Sequence, residues 1–342
     1  MKRIADKFNV GKLKHDYLSQ LLSKIEISDS RVILGSRIGE DAAVIDIPGE
    51  NYLVAKTDPI TFATSKIGYY AVNVNVNDLV CSGAEPKWFQ STILLPENHT
   101  SKELIEDIFD DIQNTCNSMG IAVIGGHTEI THDLKRPIVV GSLIGEVKKN
   151  KLVLTSGAEP NDSLILTKGV FIEGTSIIGY EKEKELKDRG FNNDFITTCK
   201  NYLYNPGISV YNEALLANQY FSIKSMHDPT EGGLANAIVE MALASNNGVI
   251  IEREKIKILP EPLKLSQIFN LNPLNTISSG SLLIAIESEN STKLVELMKN
   301  NNIKAEIIGK FVEKKKGFNF KTKNGKFEPL IYTPIDDISK IF

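Results

Sequence analysis

Apolar and polar positions divide this chain into short strands and amphipathic helices. Near the start, KLKHDYLSQLLSKI places Leu13, Tyr17, Leu18, Leu21, Leu22 and Ile25 on one helical stripe. AAVIDI (42–47) and YLVAKT (52–57) read as strands, and the Pro48-Gly49-Glu50-Asn51 turn between them predicts a hairpin. From Thr100 a helical stripe of Leu104, Ile105, Ile108, Ile112 and Met119 follows a Thr100/Glu103 capping box and stops at Gly120. IAVIG (121–125) predicts a short buried strand ending in the GGHTE loop, and PIVVGSLIGEV (137–147) another strand. Further on, DSLILTKG, GVIIER, SLLIAI and KAEIIGKF read as strands. NPGISVYNEALLANQ predicts a helix opened by Pro206-Gly207, LANAIVEMALAS and residues 289–301 two more helices, and Asn324-Gly325 a hairpin turn.

One stretch supports two readings. In GYYAVNVNVNDLVCSGAEP (68–86), Val72, Val74 and Val76 alternate with Asn73, Asn75 and Asn77, the period of a strand. Asparagine is depleted in strands, however, and a helix would align Ala71, Asn75, Asp78 and Ser82 on one face. Propensity favours the helix.

Length then sets the organisation. At 342 residues the chain exceeds one ordinary core, so two domains are expected, with the charged KKNKLV stretch (148–153) as boundary: residues 1–148 and 149–342. A net charge of −4 with no basic stripe argues against nucleic acid as a partner. The start lacks an apolar signal-peptide core, and no apolar run approaches the ~18 residues of a membrane span. Cys81, Cys116 and Cys199 lack CxxC neighbours, which fits a reducing cytoplasmic setting with buried, inert thiols.

Candidate chemistry gathers on four aspartates beside small residues: Asp41 in IGEDAAV, Asp58 after YLVAKT, Asp78 in VNDL and Asp228 in DPTEGGL. If they converge they need cations, because two carboxylates ~4 Å apart repel by roughly 4 kcal/mol at an effective dielectric near 20. Oxygen-only ligands favour Mg2+, Mn2+ or Ca2+ over zinc, and Mg2+ shares its shell with phosphates. Each aspartate alone has a plainer reading; Asp228, with Pro229 and Glu231, makes a capping box by itself. Gly232-Gly233, costly in a helix, implies close backbone approach to something, a phosphate among the choices. Gly125-Gly126 can offer amides to an anion, with Thr128 and Glu129 in reach of a metal or hydroxyl. SSGSLLIA (278–285) is a polar turn or a substrate contact, and VGKLK (10–14) offers Gly11 with Lys12 and Lys14 as cations.

In this order IGEDAAV, KTDPI, VNDLVCSGAEP, GGHTE, HDPTEGGL and SSGSLLIA resemble a known superfamily. It contains aminoimidazole ribonucleotide synthetase (PurM), the hydrogenase maturation protein HypE, selenophosphate synthetase and thiamine-monophosphate kinase. HDPTEGGLANAI is most similar to HypE and to AIR synthase-related proteins; thiamine-monophosphate kinase would show a DxSDGL-type turn there. The resemblance implies an α/β chain of α+β type. Its N-terminal mixed sheet would bind ATP and pair with a second copy into a barrel, and its C-terminal domain would be an α/β sandwich. It also implies that VNVNDL is helical and that Mg2+-ATP lies in the cleft near the dimer interface.

On the same basis Asp41, Asp58, Asp78 and Asp228 would hold metal, and Asp78, His127 and Glu129 would be catalytic, with His127 equally read as a supporting donor. Gly11, Lys12, Asn77, Gly125, Gly126, Thr128, Gly232 and Gly233 would meet the nucleotide. The implied chemistry is ATP-dependent phosphorylation of an amide or similar oxygen of a small molecule. The alternatives are cyclisation of formylglycinamidine ribonucleotide, and a non-catalytic nucleotide-binding role beside a hydrogenase-maturation partner. Two departures stand out. HypE ends in a cysteine that carries its substrate group, whereas this sequence ends TPIDDISKIF with Cys199 as its last cysteine. Selenophosphate synthetases carry Cys or selenocysteine in the N-terminal loop, where Gly11-Lys12 stand here.

Overall fold

The computed structural model describes residues 13, 15–37, 39–333 and 335–342, which form two sheets in succession. Helix α1 (His15–Leu22) precedes the first, which comprises β1 (Val32–Leu34), β2 (Ala43–Asp46), β3 (Asn51–Ile60), β4 (Glu85–Pro96), β5 (Ala122–Thr131) and β6 (Ile138–Lys148). Helix α2 (Ile67–Cys81) connects β3 to β4, and α3 (Lys102–Ser118) connects β4 to β5. The order is β1-β2-β3-β6-β4-β5, antiparallel except for the β4–β5 pair. Among the described residues this sheet is mixed and open within one chain, with no barrel closed.

The second half runs β7 (Ser163–Thr167), α4 (Ile172–Glu181), α5 (Glu183–Asp188), α6 (Asn193–Asn201), α7 (Tyr211–Tyr220), β8 (Ser225–His227) and α8 (Gly233–Ala244). It continues with β9 (Asn247–Glu252), α9 (Pro260–Phe269), β10 (Leu283–Ile286), α10 (Ser288–Asn300), β11 (Ala305–Glu313), β12 (Phe318–Lys321) and β13 (Phe327–Pro329). The strands order as β13-β12-β9-β11-β7-β10-β8, with only β12–β9 parallel. One hydrophobic cluster runs through both halves, joining Val54, Tyr70 and Leu143 to Ile172, Leu203 and Ile338. Among the described residues no helix is long and apolar enough to cross a membrane.

At 67–81 the helix wins. Every residue of α2 except Tyr69 is buried, because the helix lies on β3, β4 and β6 with α3, α7 and β8 around it. Its asparagines survive burial by bonding back to the helix: Asn73 Nδ2 donates to Tyr69 O (2.9 Å) and Asn75 Nδ2 to Ala71 O (2.8 Å). The predicted hairpin forms as β2–β3, but β3 runs on through Asp58 to Ile60 rather than stopping at Thr57.

Four other expectations are corrected. The α1 stripe ends at Leu22, and Ile25 is exposed. The cap of α3 is Ser101, whose side chain accepts from Leu104 N, while Thr100 Oγ1 donates back to Pro96 O. Pro206-Gly207 fall in a π-helical turn before α7, which begins at Tyr211. The strand expected to be buried at 121–125 is exposed from Ala122, and GGHTE is no loop: it continues β5 along β4 to Thr131, exposed at every position before that residue.

Candidate functional site

The site is built where α2, β3 and the strand-to-helix turn after β8 meet. Asp78 lies in the last turn of α2, buried, where the helix dipole disfavours a negative charge. Its partner is Lys56 on β3, with Nζ 2.7 Å from Asp78 Oδ2 and 3.5 Å from Asp58 Oδ2. Burial works against the Lys56 ammonium, but Asp78, Asp58 and Asp41 outweigh it and raise its pKa. Burial likewise raises Asp78 well above the carboxylate range, against the pull of Lys56. A lysine enclosed this way cannot exist without such partners.

The second half contributes Asp228, which follows β8 directly. It is buried, and its Oδ1 lies 3.9 Å from Cys81 Sγ. Burial raises its pKa too, against the attraction of His227. His227 is itself buried between two carboxylates: Nδ1 is 3.2 Å from Asp41 Oδ2 and Nε2 is 3.1 Å from Glu240 Oε2 on α8. Burial opposes the imidazolium, yet these two neighbours raise its pKa well above the ordinary value. IGEDAAV thus ties the halves together. Asp41 meets His227, and Glu40 accepts from Thr155 N (3.1 Å), Ser156 N (3.0 Å) and Ser156 Oγ (2.7 Å).

The four aspartates do converge, though with the protein's own cations among them. Five carboxyl groups gather there, with Lys56 paired to Asp58 and Asp78 and His227 to Asp41 and Glu240, and Asp228 buried against Asp78. Asp41, Asp58, Asp78 and Glu240 line a cavity of about 1230 Å³ together with Arg37, Glu40, Thr57, Glu173, Glu231 and Ser279. Such a volume admits a nucleotide-sized ligand. Among the described residues no three His, Cys, Asp or Glu side chains are arranged to hold a metal by themselves. The donor set fits a hard cation that shares its shell with phosphate oxygens, because the acidic cavity would repel a bare polyphosphate.

Other nominated residues fall elsewhere. Gly11 and Lys12 lie outside the described residues. Asn77 is committed to the fold: its Nδ2 donates to Ile208 O (2.8 Å) and its Oδ1 accepts from Val210 N (2.9 Å), stitching α2 to the loop before α7. Asp228 is not an N-cap, since Gly232 holds that position with φ 82°. Gly232 and Gly233 do allow close approach, but to the protein itself. Gly232 N donates to Asp336 Oδ2 (2.6 Å), and a Cβ on Gly233 would lie 2.6 Å from Thr276 O and 2.7 Å from Leu274 O.

Gly125, Gly126, His127, Thr128 and Glu129 lie on the sheet's outer strand, with His127 Nε2 3.1 Å from Glu129 Oε2. In register, Asp58 pairs with Gly141, Gly141 with Ser91 and Ser91 with Gly126. Three strand spacings, roughly 14 Å, therefore separate Asp58 from Gly126. The neighbouring row, Thr57, Ser142 and Gln90, lines the cavity and leads to Gly125.

Sequence reasoning missed Lys56, His227, Glu240 and Glu173. Two had a signal: a lysine inside the apolar YLVAKT run, and a histidine directly before Asp228.

A mixed sheet enclosing one buried helix, a second sheet and an acidic cavity at their junction define a two-domain PurM-like α/β protein. Residues 39–147 match the AIR synthase related protein N-terminal domain and residues 159–320 its C-terminal domain. The chain belongs to the AIR synthase-related family. It is 28% identical to a putative hydrogenase expression/formation protein of Methanocaldococcus jannaschii, over 96% of this chain and 95% of that one. It is 23% identical to the carbamoyl dehydratase HypE of Cupriavidus necator (84% and 82% covered). With the phosphoribosylformylglycinamidine cyclo-ligase of Acetivibrio thermocellus it shares 30% identity (78% and 84%). The fold is that of HypE in a HypE–HypF complex, at TM-score 0.74 and 20% identity over 92% of this chain and 99% of that one.

Proposed function

We propose that this protein uses Mg2+-ATP to phosphorylate an amide or similar oxygen of a small molecule, turning that oxygen into a leaving group. The observation that carries this reading is the acidic cavity lined by Asp41, Asp58 and Asp78, with Asp228 buried against Asp78. Asp41, Asp58, Asp78 and Asp228 would hold the metal, which supplies neutralisation of phosphate charge when bound. Lys56 keeps the carboxylates gathered, and α2 and β8 fix Asp78 and Asp228 on rigid elements. The names of relatives point the same way: carbamoyl dehydratase for HypE, and a HypE structure in complex with ATP at TM-score 0.67 and 19% identity, over 88% of this chain and 90% of that one.

Two partners belong to the proposal. A second copy would pair along β5, whose outer edge has no strand neighbour among the described residues and exposes Val123, Ile124 and Ile130. A maturation protein would be the other, by analogy with the HypE–HypF complex. A second reading, the cyclo-ligase, is favoured by the 30% identity to that enzyme. Steady-state ADP release over an acceptor panel tests both. Release with primary amides supports the first, aminoimidazole ribonucleotide formed from formylglycinamidine ribonucleotide supports the second, and ATP bound without any turnover would leave a non-catalytic assembly protein.

A further inference from the structure

A cation of the protein's own already stands inside the acidic cluster. Lys56 and Asp58 are two residues apart on β3 and so share one face of the strand. From above the sheet α2 brings Asp78 to them. The helix lies that close because two glycines of β6 make room. A Cβ on Gly141 would lie 2.3 Å from Asn75 Nδ2, and one on Gly145 2.8 Å from Leu79 Cδ2. The Lys56 ammonium therefore bridges two carboxylates, 2.7 Å from Asp78 Oδ2 and 3.5 Å from Asp58 Oδ2, with only 11% of its side chain exposed.

That bridge is the bonding a divalent ion would otherwise supply to the same pair. Lys56, Asp58 and Asp78 all line the cavity, yet among the described residues no three carboxylate, imidazole or thiol side chains are arranged to hold a metal by themselves. A divalent ion set against those two Oδ2 atoms would also meet a held positive charge a few ångströms away, in a place largely withdrawn from water. Phosphate oxygens reverse that balance. They bring negative charge that a metal and a lysine can share, the metal in its shell and the lysine as a point charge.

We propose that Lys56 is the resident cation of this cluster: it closes the Asp58–Asp78 pair to divalent metal in the free protein, so that the metal enters only together with a nucleotide's phosphates. The proposal rests on the Mg2+-ATP reading and adds to it an order of binding and the residue that enforces it. No bond to Lys56 forms or breaks; it is a positioning residue.

The test is equilibrium dialysis of the full chain against Mn2+, with and without ATP, for the wild type, Lys56→Gln and Lys56→Gln combined with Asp58→Asn. Without nucleotide Lys56→Gln should retain Mn2+ at least about tenfold more tightly than the wild type, and adding Asp58→Asn should remove that gain. With ATP the wild type should retain Mn2+ as well. Equal retention by the wild type and Lys56→Gln in the absence of nucleotide, or a gain that survives Asp58→Asn, would overturn the proposal. Should Lys56→Gln unfold without metal, Mn2+ should restore its circular dichroism, and failure to do so would overturn the proposal too. If Lys56→Gln gains the site while the wild type retains Mn2+ neither with ATP nor without, exclusion of metal by the lysine stands and the Mg2+-ATP reading falls.

Discussion

Two glycine pairs in this chain look alike in sequence and do opposite things in the fold. Gly232-Gly233 is packed shut: the Asp336 carboxylate sits on its amide, and the backbone at Leu274 and Thr276 fills the space a side chain would need. Gly125-Gly126 lies exposed on the outer strand, with open space around the Gly125 position and β4 backbone at Ser91 against Gly126. Both pairs hold positive φ, at 82° and 65° in the first and 149° and 156° in the second. A glycine pair therefore announces a close approach without saying whether a ligand or the chain itself comes near. Of the two, only the second leaves room for a ligand.

The sharpest way to break this comparison is Gly233→Ala. It combines a left-handed backbone with overpacking against two carbonyls, so a loss of about 4 kcal/mol in urea denaturation is expected. Gly125→Ala meets no neighbour and should cost only about 1 kcal/mol from its φ. A comparable loss at both positions would erase the distinction.

Next in size is a pH effect in the packed region. Burial pushes Glu173 from 4.5 up to about 7, against the Ser279 hydroxyl and amide. Burial also pushes Asp336 from 3.8 to about 6, against backbone N–H groups of Ile338 and Gly232. Both carboxyls bind a proton more tightly folded than unfolded, so stability falls as pH rises through roughly 4 to 7. Glu173→Gln should remove up to roughly 3 kcal/mol of that slope, read as a flatter Tm between pH 5 and 8. An unchanged slope would show that Glu173 is not held protonated by burial.

A smaller effect is expected at the tail. Asp336→Ala leaves Gly232 N without its acceptor and should cost about 1–2 kcal/mol by the same denaturation, as loss of a cap does. No change would mean that the tail does not close the helix end.

How much of this was legible follows from the range of the contacts. The hairpin and most strands are set by local patterning, and the sequence led to them. The helix at 67–81 needed more, since its valines alternate like a strand and only burial on all sides reconciles them. GGHTE misleads because glycine suggests a loop, whereas pairing with β4 holds the segment extended. The carbonyls of Leu274 and Thr276 against Gly233 and the Asp336 carboxylate on Gly232 N lie 41 to 104 residues further on, beyond any local signal. The four aspartates were legible as an ordered set; the Lys56 and His227 cations between them were not, because their pairing depends on how the two halves meet.

If the acidic cluster is a Mg2+-nucleotide site, ATP binding depends on both the metal and the aspartates. Calorimetry of ATP with the wild type, Asp78→Asn and Asp228→Asn, each with and without Mg2+ and with folding checked by circular dichroism, tests it most directly. Binding in the wild type should depend on Mg2+ and weaken about tenfold or more in each folded variant. ATP affinity unaffected by Mg2+ and by both substitutions would contradict it.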